Sequence, residues 1–180
     1  MFPKRLSLML LQFFICMAIS SSSVAAQTKS QQTTQPGTVL DYYLLLPDKY
    51  FEADREQRAH WMLDPKRGAI VDIKNGYLYA PGDGAQTEIY VCLFKRTDGR
   101  YLVAVNYNDK AGVFESFLDF YLYQRGKLRS VGASILPLAF NKELHYELPR
   151  RGATIEVTNS SGKKLYNLVW SKNVFRVKAR

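Results

Sequence analysis

The sequence predicts an α+β fold, a mainly antiparallel β meander of about nine strands behind a short helical N-terminal segment. The sheet is expected to curl into a half-open barrel or to split into two. Three observations predict this. Helical spacing is confined to residues 39–63. From Gly68 onward the apolar period drops to two. Turn signals then recur every ~8 to 14 residues, too close for the crossovers of about a dozen residues that parallel strands need.

Residues 1–26 are read as a signal peptide rather than as part of the fold. Lys4 and Arg5 precede the apolar run "LSLMLLQFFICMAI", and small residues follow, with Val24 and Ala26 placed for cleavage before Gln27. The run is shorter than the roughly 20 residues a membrane span needs. Cys16 lacks the small-residue context of a lipid-modified cysteine, and no second apolar span follows. Residues 27–37 form a Gln/Thr/Ser leader that buries too little apolar surface to order itself, so it is expected to be disordered. Residues 38–180 then make one β-rich domain. The expected destination is the periplasm or the extracellular space. The polar leader and the lack of a disulfide favour a bacterial periplasm.

Within 39–63, an apolar cluster, Pro47 and an amphipathic stretch predict a helix or turn near 40–46 and a helix over 52–62. Asp64-Pro65 ends the second, because a residue before proline avoids the α region. Val71 and Ile73 then alternate with polar residues, and Asn75-Gly76 predicts a type I′ hairpin turn. "TEIYVCLFKR", "RYLVAVNY", "ESFLDFYLYQ" and "KLRSVGAS" follow as strands separated by Asp98-Gly99, "NDKAG" and Arg125-Gly126. "ATIEVTN", "KKLYNLVWS" and "VFRVK" close the chain as a three-strand meander. Residues 135–151 hold two prolines and break the pattern, which marks a helical turn or a connection crossing between two sheets.

The glycine-rich acidic stretch 68–99 invites a calcium reading. An EF-hand loop needs oxygen ligands at alternate positions and a closing glutamate at the twelfth. "DIKNGYLYAPGDGAQTE" lacks that spacing and reads as consecutive hairpins. Asp83, between two glycines, is kept only as a cation candidate, and no metal site is predicted.

Chemistry is sparse. His60 and His145 are isolated, and there is no HExxH, no Gly-x-Ser-x-Gly and no phosphate-binding glycine loop. Cys92, left alone once Cys16 is removed, lies among apolar residues and is expected to be buried and inert. No cofactor is expected. Asp119 stands out inside the aromatic strand "FLDFYLY". It is expected either to face solvent among tyrosines or to be buried and paired with Lys or Arg.

Tyrosine is the more unusual feature. Tyr77, Tyr101, Tyr121 and Tyr123, with Asp119, form a candidate ligand surface if the hairpins bring them onto one face; the alternative is ordinary cross-strand packing. Strands 88–94, 101–107 and 117–123 are apolar on both faces, so the centre of the sheet should be covered on both sides.

The formal charge is +9; without Lys4 and Arg5, 23 basic and 16 acidic residues leave +7. From Lys142 onward nine basic residues face three acidic ones. Lys163, Lys164, Arg176 and Lys178 are the candidate interaction patch, suited to an anionic envelope polymer, a lipid head group or an acidic protein. Nucleic acid is not expected, since no recognisable binding motif is present. The functional expectation is an exported, non-catalytic binding domain. The alternatives are a carboxylate-dependent enzyme centred on Asp119, or an accessory subunit docking through the basic C-terminal meander, which would show an exposed apolar patch near Trp170 and Phe175 ringed by those basic residues. Asn159-Ser160-Ser161 matches a glycosylation acceptor that has meaning only in a eukaryotic secretory route.

Overall fold

The structure, a computed structural model, describes residues 35–82, 88–108 and 117–179. The predicted signal peptide, most of the polar leader and the Asp83 candidate lie outside the described residues. Among those described, two short α-helices precede ten strands in two antiparallel sheets. No helix among them is long and apolar enough to cross a membrane.

The first helix, α1 (Val39–Leu44), starts at a reciprocal cap. The Thr38 hydroxyl accepts from the Asp41 N–H at 3.2 Å, and the Asp41 carboxylate accepts from the Thr38 N–H at 2.8 Å. The second, α2 (Arg55–Leu63), starts three residues later than the sequence predicts. Asp54 serves as its cap, accepting from the Gln57 N–H at 2.8 Å, and so cannot belong to the helix interior. Arg58 is buried in α2 with its guanidinium 3.9 Å from the centre of the Phe51 ring.

The first sheet is a six-stranded meander, β1 (Ile70–Asp72), β2 (Tyr77–Ala80), β3 (Glu88–Lys95), β4 (Tyr101–Asn108), β5 (Phe117–Gln124) and β6 (Lys127–Ser130). The second has four strands, β7 (His145–Glu147), β8 (Thr154–Thr158), β9 (Lys164–Ser171) and β10 (Val174–Lys178). The antiparallel, β-rich class holds, but a single curled sheet or half-open barrel of about nine strands is corrected to the split alternative, two sheets with ten strands among the described residues. The extra strand is β7, which lies inside the proline-bearing stretch. That stretch carries the chain from one sheet to the other.

The two sheets and the helices build three layers, with the six-stranded sheet in the middle. Its inner face, with Cys92, Phe94, Leu102, Ala104, Leu118 and Phe120, packs on Ile155, Val157, Leu168, Trp170 and Phe175 of the second sheet. Its opposite face, with Leu78, Val91, Val103, Val105 and Tyr121, packs on Val39, Tyr42, Tyr43 and Tyr50 from the helical segment. Period-two alternation sends successive residues into these two cores, so the central strands are apolar throughout. Cys92 is buried, and burial pushes its thiol up to about 12.

The turn after β1 also differs from expectation. Residues 73–75 form a 3-10 turn, and only Gly76 has a positive φ, at 65°. Asp72 causes this: its carboxylate accepts from the Asn75 backbone at 3.2 Å and from the Asn75 amide at 2.9 Å, closing the local turn. A Cβ on Gly76 would lie 3.0 Å from Leu93 Cβ. Gly76→Ala should therefore cost about 1–3 kcal/mol, through left-handed strain and that contact. A shift of the denaturant midpoint without a change in slope would show it.

Candidate functional site

The residues singled out in the sequence fall in three places. The first is the helix-facing side of the six-stranded sheet. Tyr101 and Tyr123 come opposite each other on β4 and β5, with Tyr121 two residues from Tyr123. Tyr121 is buried under the helical segment, and the Tyr42 ring meets Tyr101 and Tyr123 edge-on at 6.1 and 6.4 Å. Tyr77 does not join them. Tyr77 pairs with Cys92 and therefore projects from the face that meets the second sheet. A single groove lined by all four tyrosines is ruled out by strand parity.

Asp119 sits at the margin of this tyrosine layer. Its Oδ2 accepts from Lys49 Nζ at 3.0 Å, from the Tyr50 hydroxyl, and from the Tyr121 hydroxyl at 3.4 Å. The Tyr50 and Tyr121 oxygens are 2.6 Å apart. Burial alone would raise the Asp119 pKa, but the hydrogen bonds from Tyr50 and Lys49 and the Lys49 charge outweigh it and hold the carboxyl below its usual range. Burial, then the neighbouring carboxylate, push the Tyr50 hydroxyl far up, so it stays a proton donor. A cation and two phenols on one carboxylate fasten residues 48–50 onto β5.

The second place is the outer face of the four-stranded sheet. The β9–β10 register sets Lys178 opposite Asn167 and Arg176 opposite Val169. Lys163, in the turn before β9, and Lys164, at the start of β9, thus share one end of the hairpin with Lys178, and Arg176 follows along the strand. Lys164 is bonded to Glu156. Lys163, Arg176 and Lys178 are exposed and have no ion-pair partner among the described residues. Trp170 and Phe175, around which an apolar docking patch is expected from the sequence, point the other way and are 7% and 4% exposed, whereas Leu165, Val174 and Val177 of the same hairpin are exposed.

The third place was not legible as a site. A cleft of about 250 Å3 opens where β7, the edge strand of the second sheet, crosses β2–β4. Tyr77, Tyr90, Asn106, His145, Glu147 and Thr158 are among its lining residues. The buried Asn106 amide donates to the Tyr146 carbonyl of β7, joining the two sheets at the floor. Tyr90 and Asn106 come together because β3 and β4 register them as partners; His145 and Glu147 flank Tyr146, which lies 40 residues beyond Asn106. Only the odd placement of Asn106 in an otherwise apolar strand hinted at it.

No protein family, curated protein or solved structure matches this chain.

Proposed function

We propose that the chain is an exported, non-catalytic binding domain of the cell envelope or extracellular space, and that it meets an anionic envelope polymer at the β9–β10 end of its second sheet. The observation that carries this reading is the group of exposed cations Lys163, Arg176 and Lys178, unpaired among the described residues, on a layer where basic residues outnumber acidic ones. Unpaired surface charge of one sign raises the local concentration of a polyanion and speeds its capture. Tyr101, Tyr121 and Tyr123, by contrast, pack their rings against the helical segment, and Asp119 is taken up by Lys49, Tyr50 and Tyr121.

The test is retention of envelope material by the protein from Gln27 onward. Its control changes Lys163, Lys164, Arg176 and Lys178 to Gln. Each exposed, unpaired cation beside an anionic surface contributes about 1 kcal/mol, so loss of Lys163, Arg176 and Lys178, with Lys164 already paired to Glu156, should weaken binding roughly 100-fold. Equal retention by both proteins would refute the proposal. Retention of lipid vesicles or of an acidic protein in place of polymer would keep the surface and replace the partner.

A further inference from the structure

We propose that the inter-sheet cleft is a second binding site, separate from the basic hairpin, and that its ligand is a small primary amine in its ammonium form. The cleft is an acceptor-rich pocket on a basic protein. Tyr79 and Tyr90, with ring centres 4.9 Å apart, each donate a hydroxyl proton to Glu88, both at 2.8 Å. A phenol has one proton to give, so the Tyr90 oxygen offers the cleft only lone pairs. The Asn106 amide gives one of its two protons to the Tyr146 carbonyl. Burial and the Glu88 carboxylate push the Tyr79 hydroxyl up to about 12, which keeps these protons in place at neutral pH.

Charge points the same way. Glu147, on the rim, is registered directly opposite Glu156 across β7 and β8. Like charges placed so are destabilising. Lys164 relieves Glu156, whereas Glu147 has no ion-pair partner among the described residues. The guanidinium of Arg150 donates to Asp72 at 3.0 Å rather than to Glu147, although its charge still reaches Tyr77. An ammonium group suits the acceptors on these walls: it brings up to three donors, a positive charge for Glu147, and an attraction to tyrosine faces. The volume admits a ligand of several heavy atoms and excludes a folded partner.

The experiment is a titration of the protein with 1,4-diaminobutane at fixed ionic strength, followed by amide NMR. The comparators are N-acetylglucosamine and succinate. Saturable shifts confined to Tyr77, Tyr90, Asn106 and the β7 residues are expected with the diamine alone. Glu147→Gln, at an exposed position, should weaken binding about tenfold. The variant lacking the four hairpin cations should bind the diamine at least as tightly as the unaltered protein, which separates this site from the one proposed above. No saturable shift, unchanged affinity in Glu147→Gln, or equal binding of the neutral sugar at the same residues would overturn the assignment.

Discussion

Trp170→Ala is expected to lower the unfolding free energy by about 3–5 kcal/mol, as large-to-small changes in packed cores do. The side chain fills the space between the two sheets, with its ring centre 4.9 Å from Phe175 and 5.9 Å from Phe94. Its indole N–H donates to the Lys95 carbonyl at 2.8 Å, tying β9 to the end of β3. Truncation therefore opens a cavity and also strips a partner from a partly buried carbonyl. Chemical denaturation measures the loss. A cost below about 1 kcal/mol would mean that Trp170 is a surface residue and would return it to the role of a docking anchor.

Asp119→Ala should cost about 2–3 kcal/mol, because it leaves the Tyr50 hydroxyl and the Lys49 ammonium without their shared acceptor. Its pH dependence gives a sharper signature. Folding lowers the Asp119 pKa, so the stabilisation is complete above the unfolded value of about 3.9 and fades as the pH falls through the lower folded value. The stability gap between the unaltered protein and Asp119→Ala should thus be flat near neutrality and narrow below about pH 4. Parallel stability curves down to that pH would remove the carboxylate from the fastening. Tyr50→Phe, which removes one donor but keeps the ring, should show a smaller loss of about 1 kcal/mol.

The strand sequence of this protein was legible because alternation and turn residues are local signals. Arg125-Gly126 and Lys172-Asn173 take positive φ at both positions, as two-residue hairpin turns require, even though Arg and Lys are poor choices there. Asn75-Gly76, the stronger motif by composition, did not form that turn because the Asp72 side chain captured Asn75 first. The division into two sheets left only one local trace, the prolines of residues 135–151. Strand pairing across that break depends on which faces pack, and Trp170 and Phe175 decided it by burying inward. Three of the four candidate tyrosines share a face and Tyr77 does not, for a related reason. Faces follow register, and Tyr77 is one parity step out from Tyr101, Tyr121 and Tyr123. The Asp119 pairing with a basic residue was foreseeable in kind; that Lys49 would supply it was not, since the two are 70 residues apart. The cleft joins residues from β2, β3, β4, β7 and β8, and no short stretch of sequence contains enough of it to be seen.

Charge on the β9–β10 hairpin as the contact with a partner is tested most directly by a salt series. The protein from Gln27 onward and its four-Gln variant would be titrated with poly-glutamate from about 0.05 to 0.5 M salt, a range over which screening between exposed charges becomes strong. The expected result is tight binding at low salt that falls steeply for the unaltered protein, and weak, nearly salt-independent binding for the variant. Two parallel curves of equal affinity would contradict it, and would mean that Lys163, Lys164, Arg176 and Lys178 serve solubility alone.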